Sequence, residues 1–248
     1  ICTAFPGILA ENSLTEREPD RYTEGRKGRE SMEDWMNLHR EAMFLEENGY
    51  LKAVNEPWGA GSPPLLWEGR TLDGSWQWRS SGILSPQIAA KLEELLKGEC
   101  FEEIEGLIGA SRMEQSVCCR PENLLPDEGM VLTLAELETL DLGWFSWLRE
   151  ELPWAAPCLG VTVEGRLVSV CRSVRIGTGV RRGHEAGVET DPTFRRRGLA
   201  LQAVRAWAAA VKAQGDIPLY SFDRDNTPSR RLAEKSGFVL YGEGFTFW

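Results

Sequence analysis

From Pro157 to Trp248 the chain reads strand, strand, strand, helix, strand, helix, strand, and this order does most to restrict its fold. PCLGVTVE and RLVSVCRSVRI are joined by Glu164-Gly165, a tight hairpin signal. HEAGVET is a third strand, and DPTF turns the chain. In RRRGLALQAVRAWAAAVKAQG, Ala200, Val204, Trp207, Ala208 and Val211 recur at helical spacing, and Gly215 stops the helix. IPLYSF then predicts a strand and TPSRRLAEKSG a helix capped by Thr227 with Pro228 at its first position. FVLYGEGFTFW predicts a terminal strand pair. The order implies an α/β fold with a mixed sheet.

Upstream the signals are weaker. Residues 1–31 are mostly polar and charged without hydrophobic period, which predicts a flexible lead. From Met32, the apolar residues Trp35, Leu38, Met43 and Leu45 lie at near-helical spacing, predicting one helix that ends at Gly49. YLKAVNE, PPLLWEGRT and GSWQWRSSG read as strands of a small sheet. PQIAAKLEELLKG and FEEIEGLIGA read as helices, and QSVCCRPENL as a strand leaving into a turn. Thr133 with Glu136 three later is a capping-box candidate, and GWFSWLREEL is amphipathic. Residues 32–139 are expected to form a smaller α+β domain of unassigned role, apart from residues 140–248.

Composition excludes several classes of protein. With 42% hydrophobic and 27% charged residues, 248 residues can bury a core. No apolar run reaches the roughly 18–20 residues of a membrane span, and the N-terminal ICTAFPGILA lacks a signal peptide's basic lead-in, so a cytoplasmic protein is expected. Six cysteines without a C-x-x-C pair, and two histidines, make a metal site hard to assemble; reduced, mostly buried thiols are expected. The net charge of -10 argues against nucleic acid or an anionic membrane as partner. That total hides a split, because residues 145–248 hold 15 Lys and Arg against 11 Asp and Glu, leaving 13 against 27 in the first 144. An anion belongs in the C-terminal part.

The segment GVETDPTFRRRGLALQAVRAW shows where. A strand turns through Asp191-Pro192 and delivers Arg195, Arg196 and Arg197 to Gly198, where a long helix begins. A helix's first amides have no internal partner and sit at the positive end of its dipole, so they bind phosphate. Gly198 leaves the approach open, and the arginines add charge-assisted donors. No Gly-Lys-Ser/Thr follows, so this is not a Walker loop.

The spacing Arg195-x-x-Gly198-x-Ala200 between a strand and a helix resembles the phosphate-binding signature of the GCN5-related N-acetyltransferase (GNAT) superfamily. Further on, IPLYSF leads into Asn226-Thr-Pro-Ser229 and a short helix closing in Gly237-Phe238, which resembles the family's second signature. The resemblance covers about residues 140–248 and implies that they form an acyl-CoA-binding catalytic domain. It implies a GNAT fold, a mixed but mostly antiparallel sheet flanked by helices. It also implies acetyl-CoA as co-substrate, bound where the strands at 184–190 and 217–222 part, with no metal. By the same resemblance, the pantetheine arm pairs with main-chain groups of Val188, Glu189 and Thr190. The diphosphate lies on the amides from Arg196 through Leu199 to Ala200, and Asn226 and Ser229 touch the cofactor.

For the chemistry, an amine must lose a proton before it attacks a thioester, the oxyanion needs a donor, and the thiolate must leave. The Val188 amide is the expected oxyanion donor. Glu185 and Glu189 share one strand face and are candidate bases, Glu189 lying nearer the reacting end. Many family members place a Tyr seven positions after the Asn, where this chain has Ala233, so Tyr241 or Tyr220 is the expected acid unless water serves. His184 reads as a structural histidine. Trp144, Trp147 and Trp207 read as core; Trp76, Trp78 and Trp248 are candidates for an acceptor pocket. The expected reaction is direct transfer of an acetyl or short acyl group to an amine of a small molecule or peptide in a ternary complex. The acidic N-terminal part favours a cationic acceptor, and the expected assembly is a monomer or homodimer. The rival readings are a non-catalytic acyl-CoA-binding or sensing module, and a GNAT-fold transferase using another acyl carrier.

Overall fold

The computed structural model describes residues 31–56, 59 and 61–248. The flexible lead expected for residues 1–31 therefore falls, except for Ser31, outside the described residues. Ser31 caps the first helix, α1 (Met32–Met43), in a reciprocal capping box with Asp34. The helix does not run to Gly49. Phe44–Glu47 (β1) and Tyr50–Val54 (β2) form an antiparallel hairpin across Asn48-Gly49, both with positive φ. Asn-Gly accepts those two left-handed positions of a tight hairpin turn at low cost, and this outweighs the near-helical spacing of Leu45.

Among the described residues, nine strands form one sheet: β3 (Leu66–Thr71), β4 (Trp76–Ser80), β5 (Met113–Pro121), β6 (Met130–Val131), β7 (Cys158–Val163), β8 (Arg166–Ile176), β9 (Gly183–Thr190), β10 (Ile217–Asp223) and β11 (Phe238–Phe247). Their spatial order is β4-β3-β11-β5-β10-β9-β8-β7-β6. Every neighbouring pair is antiparallel except β9 and β10. The fold is thus a mixed α/β one with a large, mostly antiparallel sheet flanked by helices. β5 sits between the last two strands, so the sheet runs across the boundary expected at residues 139/140.

β11 is one strand rather than a pair. Gly242 and Gly244 do not turn the chain; a Cβ at Gly242 would collide with the Arg70 carbonyl and Met36, so glycine there permits close approach, with a register shift beside it.

Helices cover both faces. α6 (Leu199–Ala213) lays Val204, Trp207, Ala208 and Val211, all fully buried, against the sheet, with α7 (Thr227–Ser236) beside it. α2 (Pro86–Lys97) and α3 (Phe101–Ile108) pack on Leu66, Phe245 and Phe247, while Trp67, next to Leu66, turns to α1 on the opposite face. Cys118 and Cys119 divide in the same way, Cys118 towards α1 and Cys119 towards α6. Burial pushes the thiols of Cys118, Cys119, Cys158 and Cys171 up, so they stay protonated and unreactive. The capping box of α4 (Leu134–Thr139) forms as Thr133 and Glu136 predict. The stretch after it is not one helix but a 3-10 turn at Gly143–Phe145 followed by α5 (Leu148–Glu151).

Candidate functional site

The one parallel pair in the sheet comes apart. β9 and β10 are in register only at Gly183, His184 and Glu185, opposite Ile217, Pro218 and Leu219. From Tyr220 onward β10 pairs with β5, while β9 stays with β8. The two strands follow different partners, and a V opens between them. Backbone groups along a strand alternate in direction. The Glu189 carbonyl accepts from Ser169 Oγ on β8, so the main-chain groups of Val188 and Thr190 point to the open side and those of Glu189 do not. Of the three residues expected to hold an extended arm, the backbone presents two.

The V continues into a cleft of about 760 Å³, a volume suited to a substantial ligand. Val188, Glu189 and Thr190 line one wall, Asn226 and Ser229 another, and Arg195, Arg196, Gly198, Leu199 and Ala200 its end. Gly198 is the N-cap of α6 and provides no side chain to its first amides, whereas Ser31, Ser85, Thr133 and Asn226 cap α1, α2, α4 and α7. The first turn closes with Gln202 N–H on Gly198 O, which leaves the preceding amides without an intrahelical acceptor. A Cβ built on Gly198 would meet open space, so the end of α6 is uncovered; glycine is needed there for its φ of 84°. The arginines are exposed, and Arg196 also adopts a positive φ. Arg197 does not join them: its guanidinium stacks 4.9 Å from the Phe194 ring centre and donates to Thr193 O.

α7 is capped by Asn226 rather than Thr227. Asn226 Oδ1 accepts from Ser229 N–H at 3.1 Å, which fixes both residues at the cleft. Ser229 Oγ lies 2.9 Å from the Tyr220 hydroxyl, and both residues line the cleft. Burial pushes the Tyr220 hydroxyl up, with Ser229 opposing, so it holds its proton at neutral pH.

The candidate bases differ. Glu189 lines the cleft, half-exposed, and accepts from Arg172 Nη1 at 3.1 Å. Arg172 also donates to Glu151 and stacks on Trp147. Glu185 is buried outside the cleft wall, with Ser221 and His39 as partners. Tyr241 is not brought to the cleft either: fully buried, its hydroxyl donates to Trp35 O and contacts His39 Nδ1. His184 is held by Ser173 and Asp216, and burial lowers its pKa.

The local patterns missed several cleft residues. Trp144, expected in the core, is 52% exposed and lines the cleft. Arg231 and Lys235, four apart on α7, bring two more cations to it; their basic spacing was the available signal. Trp76 and Trp78 lie on the edge strand β4, separated from β10 by β3, β11 and β5, and have no part in this site. Among the described residues no cluster of His, Cys, Asp and Glu could hold a metal ion, and no helix is long and apolar enough to cross a membrane.

Two parting parallel strands that lead to an uncapped, arginine-flanked helix start are the arrangement expected from the resemblance to GNAT-like folds. Residues 181–246 match the family model described as FR47-like protein. No curated protein sequence matches. Among solved structures, the chain is similar to a GNAT-family protein from Novosphingobium aromaticivorans at 21% identity and TM-score 0.42, covering 56% of this chain and 65% of that one. It is similar to a GNAT-family acetyltransferase from Colwellia psychrerythraea at 14% identity and TM-score 0.45, covering 67% and 76%. A GCN5-related N-acetyltransferase-like protein from Streptococcus suis matches at 18% identity and TM-score 0.37, covering 60% and 67%.

Proposed function

We propose that the protein is an acyl-CoA-dependent N-acyltransferase that moves an acetyl or short acyl group to an amine of a small molecule or peptide. The observation that carries this reading is the open, uncapped start of α6 at the end of a cleft whose other wall is an unpaired strand edge. Amides of Arg196 to Ala200, with Arg195, Arg231 and Lys235 around them, suit a diphosphate. The open groups of Val188 and Thr190 suit an amide-bearing arm running alongside like an added strand. Coenzyme A, when bound, supplies the acyl thioester.

The chain's own groups then have separable tasks. The Val188 N–H, on the open edge, donates to the developing oxyanion. Glu189 takes the proton that an ammonium acceptor of pKa near 10 must lose before it can attack, directly or through one water. Tyr220 donates a hydrogen bond to the departing sulfur. A phenol whose pKa is raised above 10 is a weaker acid than a thiol of about 8.5, so its donation stabilises the thiolate and water completes the protonation. The carboxylates of Glu151 and Glu189 outnumber the Arg172 guanidinium between them, which favours a cationic acceptor.

Incubation with acetyl-CoA and a panel of primary amines, read by thiol release, tests the reading. Amine-dependent release supports it. Tight binding of acetyl-CoA without release under any amine would leave a sensing module, and no binding by calorimetry would remove the reading.

A further inference from the structure

The ladder between β9 and β10 ends where a buried side chain takes over. Ile217 N–H donates to Arg182 O. Repeating that bond every two residues would bring Ser221 N–H to the carbonyl of Ala186, but the strands have parted by then. The Ser221 N–H donates instead to Glu185 Oε1 at 2.7 Å, and the Ser221 hydroxyl donates to the same oxygen at 2.6 Å. The carboxylate supplies the acceptor that the parting strand has lost, and the part-buried amide is not left orphaned.

The other carboxylate oxygen leads to the N-terminal helix. Glu185 Oε2 lies 2.9 Å from His39 Nε2 on α1, close enough for a charge contact but not aligned as a hydrogen bond. His39 Nδ1 is 2.7 Å from the Tyr241 hydroxyl, which donates to Trp35 O. Glu185 and His39 are each 3% exposed. Burial pushes the Glu185 carboxyl up, but His39, Ser221 and Arg175 outweigh it and hold it below the usual carboxylate range. Oε1 takes both Ser221 donors, Oε2 faces His39, and Glu185 does not line the cleft, so it has no reach to a substrate proton.

We propose that Glu185 is a positioning residue that holds β10 off β9 at the apex of the V, with His39 of α1 as its partner, so that the N-terminal helix sets the opening of the cleft. The proposal rests on reading that cleft as the acyl-CoA site.

The test uses the full chain with Glu185→Ala and Glu185→Gln, the latter keeping an acceptor oxygen for Ser221 and an N–H for His39. Two quantities are read: hydrogen exchange of the Ser221 amide by NMR without ligand, and acetyl-CoA affinity by calorimetry. Glu185→Ala is expected to speed Ser221 exchange and weaken acetyl-CoA binding by about tenfold each, and Glu185→Gln to restore both to within about threefold. Unchanged Ser221 exchange in Glu185→Ala, or equal damage in both variants, overturns the proposal. So does loss of turnover in Glu185→Gln with affinity and exchange intact, which would make Glu185 the base. Should Glu185→Ala not fold, His39→Ala is read instead; its Ser221 exchange is expected to rise about threefold, and no change overturns the proposal. If the wild type binds no acetyl-CoA, the functional reading fails, while Ser221 exchange still decides the strand-holding role.

Discussion

The hydroxyls of Tyr220 and Ser229 lie 2.9 Å apart, tying the strand that leaves β9 to the helix that closes the cleft. Tyr220 is thus the tyrosine that lines the cleft from β10, although α7 carries Ala233 at the place where a family tyrosine is expected. Tyr220→Phe removes the donor and little volume. Turnover is expected to fall about 10- to 100-fold with acetyl-CoA affinity kept within about threefold. Steady-state thiol release and calorimetry check both; an unaltered rate would mean that the departing thiolate does not depend on the Tyr220 hydrogen bond.

The start of α6 gives a second prediction. A Cβ at Gly198 meets no atom within 4 Å, but the positive φ costs a substituted residue about 1–2 kcal/mol. Gly198→Asn tolerates that conformation and is expected to bind acetyl-CoA within about tenfold of wild type. Gly198→Glu places a carboxylate on the open amides, and the expected loss is about 100-fold or more. If calorimetry finds the two variants equal, the diphosphate does not bind there.

Glu189 accepts from Arg172, which Glu151 shares, and this pairing holds the carboxylate at the cleft wall. Glu189→Gln keeps the side chain's shape and loses its ability to take a proton. Turnover is expected to drop by about 100-fold while acetyl-CoA affinity changes less than about threefold. Wild-type rates in that variant would clear Glu189 of the role.

What the sequence showed and what it hid follow from the range of the interactions. Arg195, Gly198, Asn226 and Ser229 were legible because a helix start is set by residues within one turn of it. The hairpin at Asn48-Gly49 carried an equally local signal, which the apolar spacing of Leu45 masked. Non-local pairing left no such trace. Nothing in MEQSVCCRP announces that Cys119 will lie opposite Tyr220 or that β5 will draw β10 away from β9. The same distance hid His39, which lies on a helix far upstream of Glu185, and it made Tyr241 and Tyr220 indistinguishable until their surroundings were known.

Away from the cleft, Glu68 offers a stability test whose sign is fixed by burial. It is fully buried on β3 beneath α2 and α3, accepts from Arg70 Nε at 2.8 Å through one oxygen, and its Oε2 has no hydrogen-bond partner. Burial pushes its carboxyl up to about 7, against the pull of Arg70. An acid whose folded pKa lies above its unfolded value binds more protons in the folded state across that interval. Stability should therefore fall as pH rises from about 4.5 through 7, by about 3 kcal/mol. Glu68→Gln is neutral throughout and leaves Arg70 its contacts with Glu99 and Leu96 O. The variant is expected to melt about 5 °C or more above wild type at pH 8, the two converging near pH 5. His184 and every other titrating group are common to both proteins, so the difference between the two melting curves isolates Glu68. Parallel curves from pH 5 to 8 would mean that Glu68 stays ionised beneath the helices.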